Sequence, residues 1–180
     1  GSTQAVAAVK RNLREAGFGK VKVGHGGTLD PLATGVLPIA LGEATKLCGR
    51  MLDASKEYDF TISFGTETAG LDAEGEVVAT SDHLPTLLEI EALLPRFMGP
   101  IEQIPPAFSA IKIDGKRAYD LARAGETVEM KARSVTILSL TVSPERVDGL
   151  SEGLGEITLS AHVSKGTYIR SLARDIAHAL

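Results

Sequence analysis

The residues best suited to chemistry are gathered in one stretch, Gly24-His25-Gly26-Gly27-Thr28-Leu29-Asp30-Pro31-Leu32-Ala33-Thr34-Gly35-Val36-Leu37-Pro38. Its glycines permit positive φ and its two prolines lock φ, so the segment is expected to be a loop of set shape. Pro31 also biases Asp30 toward extended backbone. A stiff loop that presents one carboxylate can hold a nucleophile or general base against a ligand. The glycines beside it let a bulky substrate approach the backbone. The expectation is a buried acid on a rigid glycine-proline bend. The same residues also suit a plain turn at Asp30-Pro31 and an ordinary loop histidine at His25.

Three other chemistries can be tested on the same sequence. Metal ligation needs clustered donors, and His25, His83, His162 and His178 are scattered with no pair at ligand spacing. Phosphate cradles of the G-x-x-x-x-G-K-[ST] or G-x-G-x-x-G type do not occur. Gly149-Leu150-Ser151-Glu152-Gly153 matches the G-x-S-x-G of serine hydrolases, and His25-Gly26-Gly27 resembles part of an oxyanion motif. That motif requires a strand before the serine and a helix after it. Ser143-Pro144-Glu145-Arg146 precedes it here and a strand-like run follows, so a surface turn explains Ser151 better.

The composition bounds the class. The chain has 180 residues, 43% hydrophobic and 23% charged, which is globular and argues against a disordered or fibrous protein. The lone Cys48 forms no internal disulfide and fits a reducing compartment, the cytoplasm. No apolar run is long enough to span a bilayer, and no signal peptide opens the sequence. Net charge is −4, yet it is unevenly spread. Residues 1–26 carry Lys10, Arg11, Arg14, Lys20 and Lys22 against Glu15 alone. Residues 107–135 and 164–180 are also basic, while 66–104 hold eight acids against Arg96. Such asymmetry suits polyanion binding and equally suits a solvated surface.

The elements that must position these residues follow from periodicity. Thr3 to Ala16 reads as a helix with Val6, Val9 and Leu13 on one stripe and Gly17 as its stop. Lys20–Val23 is a strand candidate, and residues 24–38 are the loop. Glu43–Ala54 reads as a helix. Tyr58–Phe64 alternates as a strand, with 75–80 as its return. Thr86–Phe97 reads as a helix ending near Gly99-Pro100. Phe108–Ile113 is extended, with a turn at Asp114-Gly115, and Arg117–Ala124 is a short helix. Ser134–Val142 and Glu156–Val163 read as strands, and Thr167–Leu180 as a helix. Neighbouring strands without regular helix alternation predict an α/β (α+β) fold: a mixed, mainly antiparallel sheet flanked by helices and loops.

At the 24–38 loop, continuing to Leu41-Gly42-Glu43-Ala44-Thr45-Lys46, the sequence resembles the TruB family of tRNA pseudouridine synthases. Further segments are similar in the same order. They are Lys56-Glu57-Tyr58, Asp72-Ala73-Glu74-Gly75, Pro105-Pro106-Ala107-Phe108-Ser109-Ala110 with Lys112, Gly115 and Arg117, and 164–175 from Ser164-Lys165-Gly166-Thr167-Tyr168 through Arg170 to Asp175. Two departures stand out. The strand with a Lys-Pro pair that usually precedes the Ser-Thr resembling Ser2-Thr3 is absent, and the family continues beyond Leu180, often into a small RNA-binding module. The resemblance therefore implies one pseudouridine synthase catalytic domain over 1–180, trimmed at both ends and without that module.

The resemblance implies isomerisation of a uridine in the T-loop of tRNA, by base flipping and without a cofactor. Asp30 is implied as the catalytic aspartate, either attacking the anomeric carbon or removing a sugar proton. Tyr58 would stack on the target base, and Arg170 would pair with the aspartate. Tyr168 would line the base pocket, and His25 would fill the gap left by extruded bases. Lys46, Lys112, Arg117 and Lys165 would contact RNA, with Lys116 and Arg123 near them. The implied partner is a tRNA T-stem-loop, with no membrane, no metal, and a monomer as the working form. Rival readings are a guided synthase acting on ribosomal RNA inside a ribonucleoprotein, and a non-catalytic RNA-binding or RNA-folding protein.

Overall fold

Helix α1 spans Ser2–Glu15, with Val6, Val9 and Leu13 half-buried along one stripe. Gly17 ends it at φ +82°, a conformation that costs glycine little. The computed structural model describes residues 1–109, 111–113, 115–126, 128–143 and 153–180. Ser151 of the G-x-S-x-G match, Asp114 and the Arg123 side chain lie outside the described residues. The chain divides into two compact units, Gly1–Ala54 and Ser55–Leu180.

In the first unit α1 packs against β1 (Val23–His25), which pairs antiparallel with β2 (Ile39–Leu41), Val23 facing Leu41 and His25 facing Ile39. A 3₁₀ turn, Gly42–Leu47, leads into α2 (Cys48–Asp53). Two expectations shift here. The strand expected at Lys20–Val23 starts at Val23, because the ladder runs only where β2 lies opposite. The helix expected over Glu43–Ala54 is split into 3₁₀ and α parts.

The second unit contains β3 (Lys56–Ser63), β4 (Thr66–Thr68), β5 (Val77–Thr80), α3 (Leu87–Leu93), β6 (Gly99–Gln103), β7 (Lys112–Ile113), β8 (Lys116–Arg117), α4 (Ala118–Arg123), β9 (Arg133–Val142), β10 (Glu156–Val163) and α5 (Ile169–Ala179). Its sheet runs β3-β10-β9-β6, every neighbour antiparallel. Ile157, Leu159, Ala161 and Val163 alternate along β10 into one core. Ile62, Ile137 and Leu140 join them there, with Leu87, Ile90 and Leu93 of α3 and Leu172 and Ile176 of α5. Two sequence expectations are corrected. Residues 99–103, given no element beyond the helix end expected near Gly99-Pro100, form edge strand β6, where Pro100 can sit because an edge leaves one side of its backbone unpaired. The return strand near 75–80 pairs with Thr66–Thr68 as a separate hairpin and not with β3, because the loop between them, closed by the Ala69 N–H on the Glu76 carbonyl at 2.9 Å, folds it back on β4.

Thr86 caps α3 reciprocally. Its hydroxyl accepts the Glu89 N–H at 3.3 Å, while the Glu89 carboxylate accepts the Thr86 N–H and the Thr86 hydroxyl, each at 2.7 Å. The Thr86 backbone N–H first, and its hydroxyl second, hold the Glu89 carboxyl below its ordinary range. A carboxyl lowered by folding contributes stability above its unfolded pKa and loses it as pH falls through the folded one. Thr86→Ala is expected to cost about 1 kcal/mol in urea denaturation at neutral pH. The acid-side fall in stability should shrink with it, since one of the two donors is gone.

Candidate active site

Three backbone tethers shape the loop that carries Asp30 in the first unit. At its base the Gly26 N–H donates to the Pro38 carbonyl at 2.9 Å, prolonging the β1–β2 ladder. Gly26 is buried, and a Cβ there would lie 2.7 Å from Met51 Cβ, so a side chain does not fit. At the tip the Ala33 N–H donates to the Asp30 carbonyl at 3.0 Å, closing a turn with Pro31 in its second position. Next to Asp30, the Leu29 N–H donates to Ser2 Oγ at 3.1 Å, tying the loop to the first turn of α1. These bonds hold the backbone on either side of Asp30. It is exposed, contrary to the buried acid expected, because the turn carries it to the tip of a loop whose residues 31–36 are exposed too.

His25 sits at the entry to this loop. Its Nδ1 donates to the Gly27 carbonyl, which can only accept, so in the neutral ring Nε2 is the acceptor. Lys46 lies in the 3₁₀ turn and pairs with Glu43 at 2.5 Å. Both side chains are exposed, so the pair adds little stability.

In the second unit Arg170 and Tyr168 stand at the start of α5. The Arg170 guanidinium donates to the Gly70 carbonyl at 2.8 Å and the Phe108 carbonyl at 3.1 Å, and faces Asp72 Oδ2 at 3.5 Å. Asp72 is itself held in a tight loop. Its N–H donates to Thr68 Oγ1 at 3.1 Å, its carbonyl accepts the Thr68 hydroxyl at 2.7 Å, and its Oδ1 accepts the Glu74 N–H at 3.1 Å. Leu71 in this loop adopts φ +55°, a strained backbone that persists where the surroundings over-determine it. The Tyr168 N–H donates to Gln103 Oε1 at 2.8 Å, and the Arg133 guanidinium stands 5.7 Å from the Tyr168 ring centre.

Tyr58 lies on β3 opposite Ala161, half-buried against the core. Lys112 and Arg117 face one another across the β7–β8 hairpin, and the Arg117 guanidinium lies 5.9 Å from the Tyr119 ring. Lys165 is exposed in the loop between β10 and α5. His25 and Asp30 thus share one loop of the first unit, with Lys46 on the turn after β2. Tyr168 and Arg170 share one helix start in the second, with Tyr58, Lys112, Arg117 and Lys165 on separate elements.

The family model described as TruB family pseudouridylate synthase (N terminal domain) matches residues 13–169. The chain belongs to the TruB family. It is 67% identical over 180 residues to the tRNA pseudouridine synthase B of Novosphingobium aromaticivorans, and 61% identical to that of Zymomonas mobilis. Both matches cover 100% of this chain, which spans 59% and 57% of those relatives. Among solved structures, a chain of the Cbf5-Nop10-Gar1 complex superposes with TM-score 0.66 at 30% identity, over 99% of this chain and 40% of its own length. A chain of an H/ACA ribonucleoprotein bound to a substrate RNA containing 2′-deoxyuridine gives 0.65 at 26% identity. The fold of this TruB chain is accordingly the α/β pseudouridine synthase fold.

Sequence reasoning passed over three positioning residues of this TruB chain. Ser2 stands out in the sequence only as part of the Ser2-Thr3 pair, yet it is buried and anchors Leu29. Gln103 is fully buried and aligns Tyr168. Asp72 belongs to the Asp72-Ala73-Glu74-Gly75 segment similar to the family, and it faces Arg170. A glutamine beside the Pro105-Pro106 pair was the one local hint for Gln103, since buried glutamines are rare and are normally hydrogen-bonded.

Proposed function

We propose that this chain is the catalytic part of an enzyme that isomerises uridine to pseudouridine in the T-loop of tRNA, without a cofactor. The observation that carries this reading is the family match over 13–169, together with relatives named tRNA pseudouridine synthase B at 67% and 61% identity. The reading follows these higher identities over the 30% and 26% shared with chains of the Cbf5-Nop10-Gar1 complex and of the H/ACA ribonucleoprotein. The reading includes a cytoplasmic location, which the lone Cys48 suits.

In the proposed reaction the bond from C1′ to N1 breaks with its electron pair left on N1, the freed base turns, and C5 joins C1′; the C5 hydrogen then leaves as a proton and N1 takes one up. Asp30 is the carboxylate that acts at the sugar, by attack on C1′ or by removing a sugar proton. Tyr58 stacks on the everted base, Tyr168 lines its pocket, and Arg170 orients the acid. His25 takes the space the base vacates, which offsets part of the few kcal/mol needed to unstack it. Lys46, Lys112, Arg117 and Lys165 contact phosphates, so affinity should weaken steeply with salt.

Release of tritium from C5-labelled uridine in a T-stem-loop tests this directly. Release together with conversion of that uridine to its C-glycoside is expected, and tight binding with no release would overturn the enzymatic reading. Tyr58→Leu is expected to lower turnover about tenfold or more, the loss of one aromatic stack. RNA affinity should change by less than threefold. A change in affinity alone would remove the stacking role.

A further inference from the structure

The first unit holds a second feature besides its loop. Lys10, Arg14, Gly19, Lys20, Val21, Lys22 and Val23 line one open groove between α1 and the run into β1. Four of these residues are cations, and no carboxylate lines the groove. All four are exposed. Lys10 and Arg14 stand one helical turn apart on the same face of α1, with side chains about 6 Å apart. Lys20 and Lys22 flank half-buried Val21. Like charges at such spacing repel one another, an arrangement that suits a bound polyanion.

An aromatic stands next in sequence to the lining residue Gly19. Phe18 is 68% exposed. It is held between Gly17 and Gly19, at φ +82° and +66°, and its N–H donates to the Leu13 carbonyl at 3.0 Å. Only glycine adopts both flanking conformations readily, so the tip that displays the ring is a built feature. An exposed aromatic two residues before Lys20 in the sequence suits a nucleic acid strand with an unpaired base, which every aromatic face can stack. An acidic protein segment would use the cations but not the ring.

We infer that this groove binds the phosphate backbone of the substrate RNA outside the target nucleotide, with an unpaired base stacked on Phe18. The inference rests on the proposed RNA substrate and adds a contact surface to it. Val23 lines the groove and opens β1, and His25 lies two residues along the same strand, about 7 Å away. RNA held in the groove is therefore held next to the loop that presents Asp30.

The test is binding of a fluorescent T-stem-loop to the parent, to Lys20→Gln/Lys22→Gln and to Phe18→Ala, each titrated over a range of KCl. The double variant is expected to lower the slope of log affinity against log salt by about 1.4. It should raise KM about tenfold while kcat shifts less than threefold. Phe18→Ala is expected to weaken binding about tenfold at every salt concentration with no change in slope. Thermal melting of each variant at the parental temperature confirms that the effects are local. A parental slope in the double variant overturns the inference. So does a polyglutamate peptide that binds as tightly as RNA and ignores Phe18→Ala. A parent that binds RNA with the expected slopes but releases no tritium would sink the proposed activity while leaving the groove standing.

Discussion

Asp30→Asn is expected to lower tritium release from a T-stem-loop by about 10⁴-fold or more, since the group at the sugar is lost outright. The substitution leaves the loop's backbone tethers in place. The turn at residues 30–33 is closed through the Asp30 carbonyl, and the tethers at Gly26 and Leu29 involve other residues. Asparagine also favours the first position of such a turn. Loop shape should therefore persist, and with it RNA affinity and melting temperature, while the negative charge disappears. Single-turnover tritium release, read beside a binding titration, separates these effects. Parental turnover in the variant would remove Asp30 from the chemistry. A loss of binding in proportion to the loss of turnover would recast it as an RNA contact.

Arg170→Lys is expected to give the next largest loss, about 10²-fold in turnover, with RNA binding changed only a few-fold. The guanidinium spans three acceptors at once, the Gly70 and Phe108 carbonyls and the Asp72 carboxylate. A planar fork reaches all three, whereas an ammonium is a point charge that cannot reproduce the geometry. Lysine keeps the charge, so a purely electrostatic role would leave turnover near parental. The comparison with Asp72→Asn sharpens the reading. That variant keeps the carbonyl contacts of Arg170 and its loop's backbone bonds, and it should cost less than Arg170→Lys. Equal and additive losses in the double variant would show that the two side chains act separately, which the 3.5 Å approach argues against. Melting curves guard against a general loss of stability, because Arg170 also joins the start of α5 to two loops.

Much of this architecture is written in short stretches. The alternation of Ile157, Leu159, Ala161 and Val163 marks β10 to the residue, because each strand buries every second side chain whatever its partner. Thr86 and Glu89 mark the start of α3 for a similarly local reason, since the cap is made between residues three apart. The turn at Asp30-Pro31 follows from the locked φ of proline, and the family segments themselves are legible in order along the chain.

What the sequence left open was partnership. Nothing within 75–80 says that these residues pair with Thr66–Thr68 and not with β3, and nothing within 99–103 says that these residues pair with β9. Ser2 reaches Leu29, Gln103 reaches Tyr168 and Arg170 reaches Gly70 across gaps of 27, 65 and 100 residues. The exposure of Asp30 belongs to the same class, because a loop's stiffness is a local property while its burial depends on what packs around it. Backbone sterics and side-chain periodicity act between neighbours and so can be read from composition and spacing. Hydrogen bonds and burial between distant segments exist only once the tertiary fold has brought those segments together, and it was the fold that decided which side chains hold the acid and the arginine in place.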